Sequence, residues 1–129
     1  MDTSEAYVKM CEKAEEIQLD FRPQDGDYIV EVIQSPRNVL MSIFVHPHHR
    51  RYIWLPRQDQ LQEMISEHWN LTYSYGLVER FANWLRSSKV GYYENLSMEQ
   101  LWLAFVMSQK YNKVWDGEEW VKVNADIPV

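Results

Sequence analysis

The stretch DYIVEVIQSPRNVLMSIFVHPHHRRYIWL, residues 27–55, decides the fold class. Residues 28–33 are rich in β-branched side chains and read as a first strand. Ser35-Pro36-Arg37-Asn38 is a turn, residues 39–45 a second strand, and residues 51–55 a short third one after the His46-Pro47-His48-His49 break. Three strands joined by short connections predict an antiparallel meander.

Working outward, Asp2-Thr3-Ser4-Glu5 supplies N-cap residues, with Asp2 and Glu5 at capping-box spacing. A helix over 4–19 follows. Its apolar positions Tyr7, Met10, Cys11, Ala14 and Ile17 recur at three and four, opposite Lys9, Glu12, Lys13, Glu15 and Glu16. Pro23 and Asp25-Gly26-Asp27 stop it. Downstream, residues 57–69 place Leu61, Met64, Ile65, His68 and Trp69 on one helical face, and residues 75–87 do the same with Leu77, Val78, Phe81, Trp84 and Leu85. Ser97-Met98-Glu99-Gln100 is a capping box for a helix over 98–112, with Leu101, Trp102, Phe105 and Val106 or Met107 directed inward. Val114-Trp115 and Trp120-Val121 then flank Asp116-Gly117-Glu118-Glu119, the signature of a β-hairpin. The expected architecture is α+β in a single domain spanning 1–129: an N-terminal helix, the meander, three further helices and a C-terminal hairpin. Internal repeats, low-complexity tracts and linkers are absent from the sequence.

Composition narrows the class. With 129 residues and 46% hydrophobic content, the chain can bury a core without disulfides or metal staples. One cysteine, Cys11, cannot form an intrachain bridge, and Asp2, Glu5 and Glu12 interrupt any signal-peptide pattern, so a reducing, cytoplasmic setting is expected. In that setting the glycosylation triplets at Asn70 and Asn95 receive no glycan. The longest mostly apolar run, 101–107, falls far short of the ~20 residues of a membrane helix. A net charge of −6 argues against general binding to nucleic acid backbones. The charge is uneven: residues 1–20 hold six acids and two bases, whereas residues 46–57 hold Arg50, Arg51 and Arg57 with no acid.

Several constellations bear on chemistry. His46, His48 and His49 invite comparison with a metal site, but zinc needs further ligands, and His68 and Cys11 lie in other elements without a matching spacing. A solvent-exposed turn is the plainer account, and no metal or other cofactor is expected. The segment 48–57, HHRRYIWLPR, interleaves Arg50, Arg51 and Arg57 with Tyr52 and Trp54, a mixture suited to pairing guanidinium with phosphate while a ring stacks on a base. A core tryptophan on a strand edged by solvating arginines explains the same residues. Cys11 falls on a buried stripe, the serines lack a nucleophile-elbow context, and adjacent acids such as Glu15-Glu16 and Glu118-Glu119 diverge into water. Neither G-x-G-x-x-G nor a Walker A pattern occurs among the four glycines. Most of the six tryptophans are expected in the core. Trp115 and Trp120 differ, because an isolated hairpin is marginal and must pack on the domain, a second subunit or a partner.

Three phrases carry a resemblance: MCEKAEEIQ in the first helix, WLPRQDQLQEM entering the second, and SMEQLWLAFVMSQKYNKVWDGEEWV through the last helix and hairpin. Together, over roughly residues 9–18, 54–64 and 97–121, the chain resembles small prophage-encoded proteins of Gram-positive bacteria, a group with no established catalytic or ligand-binding residue. The resemblance implies a phage accessory protein in a bacterial host cell that acts by occupying a host protein, including a component of a defence system, or by sequestering a nucleotide signal. The leading expectation is a non-catalytic binding protein, with Trp115 and Trp120 on its partner surface. The alternative is a nucleotide or cyclic-nucleotide binder using Arg50, Arg51, Tyr52, Trp54 and Arg57. A sheet edge and an aromatic hairpin leave room for a homodimer.

Overall fold

A computed structural model describes residues 1–19, 21–22, 24–31, 52–88 and 96–123, together with the backbone of 39–42. The chain combines helices with two small antiparallel sheets, an α+β composition, and divides into two compact units, Met1–Arg57 and Gln58–Val129. The expectation of a single closed domain therefore gives way to two contact-dense units.

In the first unit, α1 (Glu5–Lys13) begins at Ser4, whose Oγ accepts the Tyr7 N–H at 3.2 Å. Ser4 is the cap rather than Asp2, which instead accepts the Ser4 N–H at 2.8 Å. The predicted stripe of Tyr7, Met10, Cys11, Ala14 and Ile17 is buried. The helix is not continuous through 19. It breaks at Ala14 (φ −84°, ψ 71°), and α2 (Glu15–Leu19) restarts the chain in a new direction. Neither glycine nor proline marks this break. The exchange is one of hydrogen bonds: the Cys11 carbonyl accepts the Ala14 N–H at 3.1 Å and the Gln18 Nε2 at 3.0 Å.

Gln18 reaches further. Its Nε2 also donates to the Trp54 carbonyl and its Oε1 accepts the Trp54 N–H, both at 2.9 Å. Trp54 lies on β3 (Tyr52–Leu55), an edge strand, so one side-chain amide pairs with the outer edge as a neighbouring strand would. On the other side of β3 runs β1 (Asp27–Glu31), and beyond it β2 (Val39–Ser42), in the order β2-β1-β3. Both pairings are antiparallel, with Ile29 opposite Leu40 on one side and Trp54 on the other. The meander order is thus corrected: the first strand is central, not the second. Consecutive Ile29 and Val30 are both buried, so both faces of β1 are covered, as suits the middle of a sheet. Tyr7 anchors α1 to β3 by donating its hydroxyl to the Pro56 carbonyl at 2.6 Å.

The second unit is built on α5 (Met98–Tyr111), buried continuously from Trp102 to Ser108, with α3 (Gln58–Trp69) packed along it. The capping box forms as its spacing predicts: Ser97 Oγ accepts the Gln100 N–H at 3.1 Å, and Gln100 Oε1 accepts the Ser97 N–H at 3.2 Å. On α4 (Ser74–Ser87) the buried stripe is Leu77, Phe81 and Trp84. Val78, expected inward, is 59% exposed, because 77, 81 and 84 already fill a single narrow face. Phe81 stacks on Trp102 at 3.9 Å between centroids, and Phe105 meets Trp69, Trp84 and Trp102 at 5.1–5.7 Å, so rings form the centre of this core. Asn112 ends α5 in the left-handed conformation (φ 56°) and exchanges two 2.9 Å hydrogen bonds with Val123, clasping the base of the hairpin β4 (Lys113–Trp115) and β5 (Trp120–Lys122). At the tip, Asp116 Oδ1 accepts the N–H groups of Glu118 and Glu119 at 2.7 and 2.8 Å, while Gly117 takes φ +103°.

Candidate binding surfaces

The segment 48–57 combines arginines with aromatic rings. Arg50, Arg51 and the histidines at 46, 48 and 49 lie outside the described residues. Trp54 is buried, and Phe21 stacks on it at 4.7 Å with the ring planes 6° apart. Arg57 donates to the Gly26 carbonyl at 2.7 Å and stands 3.5 Å from the buried carboxylate of Asp27. Both side chains thus hold the first unit together: one ring face is occupied and one guanidinium is engaged. Tyr52 is half-buried at the end of β3, beside a cleft of about 270 Å³ that Glu12 and Glu15 make acidic.

Cys11 is fully buried in α1, and burial pushes its thiol well above the ordinary value of 9.0; a hydrogen bond with Tyr7 acts the other way, and Asp2 adds a smaller upward push. Such a thiol is a packing group rather than a nucleophile at neutral pH. His68, the other distant candidate ligand, is exposed in the last turn of α3. Among the described residues, no group of three His, Cys, Asp or Glu side chains is placed to hold a metal ion, and no helix is long and apolar enough to cross a membrane.

In the hairpin, Trp115 and Trp120 form a cross-strand pair with centroids 5.1 Å apart. Trp120 is 8% exposed and Trp115 half-buried, so of the two only Trp115 presents appreciable surface.

Two features escaped the sequence reading, both in the second unit. Tyr73 and Tyr75, 65% and 71% exposed, stack at 5.6 Å with their planes 17° apart at the start of α4, where Val78 extends the apolar surface. Their signal was a Tyr-Ser-Tyr between two helices, which helical periodicity passes over because the first ring precedes the helix. The second feature is a cleft of about 450 Å³ between α4, α5 and the end of α3. Trp84 and Phe105 form its apolar wall, and Arg80, Asn83, Ser87 and Gln109 supply polar groups. Trp69, also in the lining, carries the Arg80 guanidinium over its ring at 4.6 Å. These residues are too far apart in sequence to read as a motif.

The chain matches no protein family, no curated protein and no solved structure, so its class is defined by the fold and these surfaces alone.

Proposed function

We propose that the protein acts by binding rather than catalysis, as an accessory protein of phage type that occupies a surface of a host protein. The observation that carries this reading is the stacked pair Tyr73 and Tyr75 beside Val78, three large side chains left in solvent on one helical start. Contiguous exposed apolar surface marks interaction sites, and tyrosine is enriched there because a rigid ring adds much contact at little entropic cost. Burying such a ring in an interface contributes on the order of 2 kcal/mol. The half-buried Trp115 offers a second, smaller aromatic surface. The alternative of nucleotide capture draws no support from Trp54 and Arg57, since Phe21 and Asp27 already engage them.

The test is retention of bacterial host proteins on the immobilised full chain, compared with the double variant Tyr73→Ser/Tyr75→Ser. Both positions are exposed, so the variant should unfold within about 0.5 kcal/mol of the parent. Proteins held by the parent and released by the variant are the expected result. Retention unaffected by the double substitution removes the tyrosine surface from the proposal, and retention no greater than on blank resin removes the binding role.

A further inference from the structure

The cleft between α4, α5 and the end of α3 has the chemistry of a ligand site. At about 450 Å³ it lies toward the lower end of the 300–1,000 Å³ typical of small-molecule pockets, enough for one ring with a short side chain. None of its lining residues is acidic, and it contains one cation, Arg80. On α4 the neighbours of Arg80 one turn away are Gly76, Leu77, Asn83 and Trp84, so the one carboxylate of that helix, Glu79, is adjacent in sequence and not at the spacing that faces Arg80. Trp69 holds the guanidinium by its ring face, and no carboxylate lies in the lining of the cleft to compensate its charge. Among the other polar lining groups, the Ser87 hydroxyl already donates to the Trp84 carbonyl and Gln109 Nε2 to Ser108 Oγ, both at 3.2 Å, so the donor set beside Arg80 is that of Asn83. Asn83 Oδ1 is taken by Arg86 at 3.0 Å, which leaves the amide N–H₂ of Asn83 to offer. Trp84, in the apolar wall, has a buried Nε1–H with no acceptor among the described residues, an unmet donor of the kind that a ligand or a water satisfies.

We propose that this cleft binds a small aromatic carboxylate, its ring against Trp84 and Phe105 and its carboxylate on Arg80 and Asn83. The same chemistry is presented by a free arylacetate and by the C-terminal aromatic residue of a peptide. The site is separate from the tyrosine surface and stands or falls without it.

The experiment is a titration of the ¹⁵N-labelled full chain, following the tryptophan indole N–H signals, with that of Trp84 assigned through Trp84→Phe. Phenylacetate represents the free ligand and N-acetylphenylalanine the peptide terminus, and each is compared with its amide. One or both acids should shift the Trp84 signal saturably, with each amide at least about tenfold weaker, since a charge-assisted hydrogen bond is lost. A preference for N-acetylphenylalanine identifies a peptide terminus, and a preference for phenylacetate a free acid. Arg80→Gln, a change at an exposed position, should abolish the response; the Trp69 signal moves because the guanidinium over its ring is gone, while those of Trp54, Trp102, Trp115 and Trp120 stay in place. Arg80→Lys, which keeps the charge but loses the planar stack on Trp69, should bind with intermediate strength. Equal response to acid and amide, an unchanged response in Arg80→Gln, or no saturable shift up to roughly 10 mM overturns the proposal.

Discussion

At the scale of single residues, the chain's one thiol shows how position decides chemistry. The recurrence of apolar residues at three and four puts Cys11 on a buried stripe, and it is fully buried there. Burial raises its pKa, because a thiolate in that apolar setting loses its hydration. The native chain should therefore react with a water-soluble disulfide reagent at neutral pH only as fast as it opens, and denaturant should release one thiol per chain. Rapid labelling of the folded protein would contradict the packing of α1. The same shift has a stability consequence with a definite sign. The folded state keeps its proton to higher pH than the unfolded state, so the contribution of this group is complete below the ordinary thiol value of 9.0 and is lost as pH rises above it. The slope there is at most about 1.4 kcal/mol per pH unit. Cys11→Ala, compared with the parent across that range by urea midpoints, should flatten it. What could not be read from the sequence at this scale is the partner of each polar group: nothing in the spacing of Gln18 pointed to Trp54, 36 residues away.

At the scale of elements, that glutamine explains why the N-terminal helix is two helices. The periodicity of 4–19 is faithful, and every residue of the predicted stripe is buried. Yet periodicity reports which face is apolar, and a stripe survives a change of direction at Ala14 when both segments cover the same core. The break gains two long-range hydrogen bonds to the backbone of β3 and one to the Cys11 carbonyl. Gln18→Ala removes all three and uncovers the outer edge of β3 at Trp54. A loss of about 1–3 kcal/mol is expected in urea denaturation, since part-buried backbone groups lose their partners. An uncovered edge also invites pairing with a second chain, so the variant should self-associate more strongly with concentration than the parent. A midpoint unchanged within error would mean that water replaces the amide at no cost. The capping box and the hairpin were legible for the opposite reason. Their signals, Ser97 with Gln100 and Asp116-Gly117 between two tryptophan-bearing strands, act over three or four residues, a range in which sequence spacing is spatial distance.

At the scale of the whole molecule, local patterns stop deciding. Strand lengths and turn residues identified three strands, but the order β2-β1-β3 depends on which strand is buried on both faces, a fact about neighbours absent from the strand's own alternation. The division after Arg57 also went unmarked, because Pro56 and Arg57 read as the start of a helix and no glycine- or serine-rich linker separates the units. Charge, by contrast, is additive and legible at this scale. Residues 1–57 carry nine acids and seven bases, and residues 58–129 ten acids and six, so neither unit is basic. Arg57, one of the three arginines in the acid-free stretch 46–57, is already beside Asp27. Backbone binding to nucleic acid needs several cations placed to release counterions together, and a net-negative unit repels the polyanion at distances within the ~8 Å screening length of physiological salt. A labelled random-sequence duplex should therefore show no anisotropy change with this protein at roughly 150 mM salt up to tens of micromolar. The response should stay flat as salt is lowered several-fold, where proteins that bind through Lys and Arg clusters gain affinity steeply. An affinity that appears and climbs as salt falls would place local arginine density above net charge. Arg50→Ala/Arg51→Ala would then be the variant that removes it.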